Sequence, residues 1–174
     1  MKMNLYRSAA AALFLIQAGM SDPPATKAAL QGADVRKPAA DFGLQDADGK
    51  TVQLEDYRGK VLVLDFWATW CTGCKKEIPW FEGFQKSYGD KGFSVVGVSM
   101  DEDGWKVLKP FLEEHKPAYR MVLGDEAMGK RYGINGLPDT FLIDRHGRVA
   151  AAYREGLVDR EDIESNIRAL LVEK

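Results

Sequence analysis

The sequence predicts an α/β domain built on a mixed β-sheet with helices on both faces. Three observations carry that expectation. Two runs, Val61–Trp67 and Ser94–Ser99, have the length and composition of buried central strands, the first interrupted only by Asp65. Each is followed by a stretch with apolar residues at helical spacing. The chain then closes with two extended runs around a glycine-containing turn and a last amphipathic segment. With 174 residues, 45% hydrophobic and 29% charged, it can bury one core of its own and is not a disordered chain. A net charge of −2 offers no electrostatic footprint for nucleic acid, so none is expected as a partner.

The elements follow in order. Lys2 and Arg7 precede a short apolar stretch, Ala9–Gly19. A basic segment followed by a short apolar one has the layout of a signal peptide or N-terminal anchor, assigned to residues 1–21. It falls short of the ~20 apolar residues of a membrane-spanning helix. Cleavage after Ala18 or after Ser21 fits equally well. Such a leader places the chain outside the cytoplasm, in the periplasm or on the outer face of the membrane, where disulfides persist. Residues 22–37, rich in proline and alanine, read as a linker or arm, and residues 38–174 as the domain.

Asp48-Gly49 between Phe42–Gln45 and Thr51–Leu54 signals a hairpin. Residues 72–88 read as a helix, with Ile78, Phe81, Phe84 and Tyr88 near helical spacing. Trp105, Leu108, Phe111 and Leu112 mark a second helix, kinked or restarted at Pro110. A short strand over Arg120–Leu123 and a short helix over Ala127–Tyr132 come next. Thr140–Ile143 and Val149–Tyr153 flank the turn Asp144–Gly147. The last helix opens at Asp159, a good N-cap, and lines up Ile163, Ile167, Leu170 and Leu171.

The chemistry converges on Trp70-Cys71-Thr72-Gly73-Cys74. These are the chain's two cysteines. Cys71 comes four residues after a buried strand and opens a helix, where free N–H groups and the helix dipole favour a thiolate. Helix N-termini and Cys-x-x-Cys spacing lower a thiol pKa from about 8.5 to about 3.5–7.5. Cys74 is three residues on and shares the helical face, so the pair can close a disulfide. Cys71 is expected to be the exposed attacking sulfur and Cys74 the buried resolving one. The plainer alternative is two small core cysteines. A structural zinc site would consume both cysteines and both histidines, and His115 and His146 have no motif around them.

At this point the sequence resembles the thioredoxin-fold thiol–disulfide oxidoreductases, and more narrowly their TlpA/ResA-like extracytoplasmic branch. The matching segments are Phe66–Pro79, Val96–Asp103 and Gly136–Asp144, from about Ala39 to the C-terminus. The resemblance implies a thioredoxin-like fold with an N-terminal β-hairpin and a strand–helix insertion between Ser99 and Thr140. It implies that Pro138 is cis and faces the disulfide, with Leu137 offering backbone groups to an incoming peptide. Trp70 is expected to form part of the exposed docking surface, and Trp67 to pack beside the site. It also implies a monomer that exchanges disulfides with protein substrates, a membrane thiol donor of electrons, and clients such as apocytochrome c or other secreted thiol proteins. Neither cofactor nor metal is called for.

Two acids bear on the thiols. In the resembled branch an acid at the position of Glu77 lies under the site and influences the thiol pKa values; the alternative is a solvated side chain beside Lys75 and Lys76. In classical thioredoxins an acid at the position of Asp65 is buried behind the resolving cysteine and takes its proton. The branch resembled here more often carries Asn, so Asp65 is a departure; the alternative is an acid satisfied by backbone donors. Asp65 is assigned the proton of Cys74 and Glu77 a modulating role. Thr72-Gly73 also departs from the proline-containing pairs of the branch, which leaves the reduction potential open.

Other readings are a disulfide oxidant or isomerase, a thiol peroxidase, and a soft-metal (copper-delivery) module. Peroxidases sharing the insertion carry Thr three residues before the cysteine, where this chain has Ala68. Copper-delivery relatives space their cysteines by three residues and add a histidine after the insertion; neither feature is present.

Overall fold

The computed structural model describes residues 25–173. The segment read as a signal peptide or anchor lies outside them. Among the described residues no helix is long and apolar enough to cross a membrane.

Five strands form the central sheet: β3 (Val61–Trp67), β4 (Phe93–Ser99), β5 (Arg120–Leu123), β6 (Asp139–Ile143) and β7 (Val149–Tyr153), in the order β5-β4-β3-β6-β7. β4 runs parallel to β3 and to β5, while β6 runs antiparallel to β3 and to β7. The sheet is therefore mixed, and β3, the most apolar run, lies at its centre with every residue buried. Strand alternation divides the core in two. Val61, Val63 and Trp67 face α1 (Thr72–Tyr88), α2 (Trp105–His115) and α4 (Arg160–Val172) through Phe81, Leu108 and Ile163. Leu62, Leu64 and Phe66 face the other side, covered by α3 (Glu126–Tyr132) and by the hairpin β1 (Gly43–Gln45) and β2 (Thr51–Gln53). Asp65 shares the α1 side of the strand by the same alternation.

α2 runs as one element through Pro110, and α1 through Pro79. α2, β5 and α3 form the insertion between β4 and β6. α4 is capped by Asp159, whose carboxylate accepts the N–H groups of Glu161 and Asp162.

The segment read as a linker lies against the domain from Thr26 onward. Thr26 bridges to Val158, Gln31 N–H donates to Ala150 O at 2.8 Å, and Val149 N–H donates to Lys37 O at 2.8 Å. The Arg36 guanidinium, buried, donates to both Asp144 and Glu173. Thr26, Ala28 and Leu30 alternate inward, and Ala28 and Leu30 pack on the core. An extended strip anchored mainly through its backbone leaves little trace in residue types. At the opposite edge Asp46 bridges to Val122 and pairs with Arg120, so the hairpin lies along β5.

Candidate active site

The site forms where the central strand ends. The chain leaves β3 at Trp67, makes a short loop through Ala68–Trp70, and enters α1 at Thr72. Asp101, buried just past the end of β4, fixes that loop: its carboxylate accepts Thr69 N–H, Thr69 Oγ1–H at 2.7 Å and Ser99 Oγ–H at 2.7 Å. Met100 N–H donates to Trp67 O at 2.8 Å, joining the ends of the two strands.

Cys71 and Cys74 are joined in a disulfide, with their Cα atoms 5.3 Å apart. Cys71 is the N-cap of α1, its sulfur accepting Cys74 N–H at 3.1 Å. Cys74 is wholly buried and Cys71 retains 7% exposure. The order of exposure agrees with the expected roles, but Cys71 is much less open than an attacking sulfur was expected to be. Its sulfur is bonded to Cys74 and turned onto the helix end, so exposure belongs to the site's surroundings more than to the sulfur. Trp70 next to it is 68% exposed. Trp67 is entirely core, with its ring 4.9 Å from that of Phe111.

The Leu137–Pro138 bond is cis. Pro138 is buried facing the redox dipeptide: its Cδ lies 4.0 Å from where a side chain at Gly73 would begin. Asp139 holds this turn from beneath. One of its oxygens accepts Glu155 N–H and the other Arg154, at 2.6 and 2.8 Å. Trp70, Met100, Ile134, Gly136 and Leu137 line a shallow cavity of about 430 Å³ beside the disulfide.

Both acids are fully buried beneath the pair. Asp65 accepts the Thr140 hydroxyl at 3.1 Å, and its other oxygen has no partner among the described residues. Glu77 lies one turn beyond Cys74 on the inner face of α1; one oxygen accepts Val158 N–H at 2.6 Å and the other is unpartnered among the described residues. Burial pushes both carboxyls well above the ordinary carboxylate range. Asp139 pushes Asp65 further up, and Asp65 does the same to Glu77, because two negative charges in one dry space repel. The Tyr119 hydroxyl, also buried and unpartnered among the described residues, feels both acids. The solvated reading of Glu77 is thus overturned, and so is the reading of Asp65 as an acid held by backbone donors.

Sequence reasoning brought Cys71, Cys74, Glu77, Asp65, Trp70, Leu137 and Pro138 to this one rim. It missed Asp101, Asp139, Tyr119 and Val158 as parts of it. Asp101 had a signal, a Ser-x-Asp directly beyond a buried strand. Val158 contributes through its backbone and had none.

A disulfide capping a helix that springs from the central strand, opposite a cis-proline, defines a thioredoxin-fold thiol–disulfide oxidoreductase. The AhpC/TSA family model matches residues 35–152. The chain is 32% identical over 139 residues to the thiol-disulfide oxidoreductase ResA of Bacillus thuringiensis subsp. konkukian, covering 79% of each chain. It is 34% identical over 133 residues to the ResA of Geobacillus thermodenitrificans, covering 76% of this chain and 75% of that one. Among solved structures, a Chlorobium tepidum protein assigned to the DsbE thiol:disulfide interchange proteins superposes with a TM-score of 0.74 at 34% identity, over 82% of this chain and 99% of that one. A thiol:disulfide interchange protein from Bacteroides sp. gives 0.66 at 30% identity, over 76% and 90%. The chain belongs to the AhpC/TSA family and, within it, to the TlpA/ResA-like thiol–disulfide oxidoreductases.

Proposed function

We propose that this oxidoreductase is a monomeric reductase of protein disulfides working outside the cytoplasm. A membrane thiol donor recharges it, and its clients are thiol proteins such as apocytochrome c. The observation that carries the exchange chemistry is the Cys71–Cys74 disulfide at the N-cap of α1, facing Pro138.

In the reduced protein the Cys71 thiolate attacks one sulfur of a client disulfide. A Cys71–client bond forms, and the client's other sulfur leaves with the electron pair and takes a proton. Cys74 then gives its proton to the Asp65 carboxylate and attacks Cys71. The Cys71–Cys74 bond closes and the client's second thiol departs, so two electrons have passed to the client. The client's backbone pairs beside Leu137, and Trp70 with the adjoining cavity receives its apolar side chains.

The direction rests on the buried acids. A strong disulfide oxidant owes its potential to a stabilised reduced form. Here the space under Cys74 is dry enough to push the Asp65 and Glu77 carboxyls well above their ordinary range, and the same dryness disfavours a thiolate, so the reduced form gains little. The relatives' names support the exchange reaction, and the leader at residues 1–21 supports the compartment. Equilibration of the pair in glutathione or dithiothreitol buffers, read by Trp fluorescence, tests the direction. A potential near or below about −220 mV is expected, whereas about −120 to −180 mV makes the protein an oxidant or isomerase.

A further inference from the structure

The loop over residues 156–159 meets the site at three points, Pro138, Gly73 and Glu77. Gly156 N–H donates to Pro138 O at 3.3 Å. Leu157 packs over the redox dipeptide, its Cδ2 3.4 Å from where a side chain at Gly73 would begin. Val158 N–H donates to Glu77. The same loop is held from outside by one residue of the N-terminal arm. Thr26 N–H and Thr26 Oγ1–H both donate to Leu157 O, at 2.7 and 2.9 Å, and Asp159 N–H donates to Thr26 O at 2.8 Å. These bonds bracket Val158 on both sides and turn its N–H inward to the carboxylate. The arm crosses so near that a side chain at Gly156 would begin 3.1 Å from Thr26 Cγ2.

We propose that Thr26 is a positioning residue of the redox site: by fixing the Leu157–Val158 peptide it holds the hydrogen bond to Glu77 and so governs how readily the Cys71–Cys74 thiols ionise. This rests on the reading of Cys71–Cys74 as a working redox pair. Val158 N–H favours the ionised form of Glu77, opposing its burial. A Glu77 carboxylate one turn from Cys74 disfavours thiolate. Release of the loop leaves Glu77 protonated to higher pH, and the thiolate then forms at lower pH. The other titratable groups facing Glu77 are Asp65 on β3, Tyr119 ahead of β5, and the two cysteines on its own helix.

The test uses the full reduced chain and the pH profile of Cys71 alkylation by iodoacetamide. Thr26→Pro removes both donors to Leu157 O, and Thr26→Ala removes the hydroxyl alone. Thr26→Pro is expected to lower the alkylation midpoint and to speed the reaction roughly threefold near pH 9, where Glu77 otherwise ionises, with little change at pH 7 and with Thr26→Ala between it and wild type. The same substitution in a Glu77→Gln background is expected to change nothing, because no carboxylate remains to respond. An unchanged profile in Thr26→Pro overturns the proposal. So does an equal shift in both backgrounds, which is general loosening. If the wild-type pair shows no two-electron couple, it is the reductase reading that fails; a working couple with an unmoved profile fails only this one.

Discussion

Asp65 and Glu77 are two carboxyl groups with space for one charge. Each accepts a hydrogen bond from a neutral donor, Thr140 or Val158, and each leaves an oxygen unpartnered among the described residues. Their raised pKa values have a consequence for stability whose sign is definite. The folded chain keeps protons that the unfolded chain releases in the ordinary carboxylate range. Stability is therefore full below that range and falls as pH rises toward the raised folded values. In urea denaturation of the oxidised protein, wild type is expected to be less stable at pH 8 than at pH 5. Glu77→Gln should narrow that difference by about 1–3 kcal/mol, at about 1.4 kcal/mol per pKa unit. Equal pH slopes in the two proteins would show that Glu77 is not held protonated by the fold.

At the scale of elements, the site depends on three strands ending at one rim. β3 delivers the cysteines, β4 delivers Asp101 and β6 begins at Asp139 beneath the cis-proline. The bare backbone of β4 at Gly97 makes room over the sheet for the side chains of its neighbours. Gly97 lies between the Trp67 indole and Met121; a side chain there would begin 3.0 Å from Trp67 Nε1 and overlap Met121 Sδ. Gly97→Ala is expected to cost roughly 1–3 kcal/mol in denaturant unfolding, as overpacking of a filled core does. A change within experimental error would mean that Met121 yields freely. The rim was legible in large part. β3 and β4 announced themselves as apolar runs, α1 by its spacing, and the cysteines by their place at the junction. Glu77 was readable as lying under the site only through the resemblance carried by residues 66–79, since its own neighbours Lys75 and Lys76 suggest a solvated face. What escaped were the loop ties, Asp101 to Thr69 and Val158 to Glu77, since hydrogen bonds between distant segments leave no periodicity.

For the molecule as a whole, the N-terminal arm matters more than its composition suggested. Arg36 is buried at 8% exposure and joins the arm to Asp144 in the β6–β7 turn and to Glu173 at the end of α4. Arg36→Ala leaves Asp144 its bond to Arg148 but takes the guanidinium from Glu173 and from the Gln31 carbonyl. A loss of about 2 kcal/mol is expected, in the range of hydrogen bonds to charged groups, together with faster proteolysis between residues 26 and 38. Unchanged stability and unchanged cleavage would show that the arm is held by Thr26, Ala28 and Leu30 alone. Short alternations such as these are common in unstructured segments, and this is why a docked arm reads as a linker.

The two ends of the N-terminal region occupy the two outer strands of the sheet. The arm bonds along β7 through Lys37 and Gln31, and the hairpin meets β5 through Asp46 and Val122. An outer strand with free backbone groups invites another chain to add to it, in aggregation as in peptide capture. With both flanks taken by its own chain, this sheet discourages growth into polymers of itself and capture of extended segments at its sides. In the function proposed above, the turn at Leu137 is then where a client's backbone finds partners, beside the sulfur atoms that act on it.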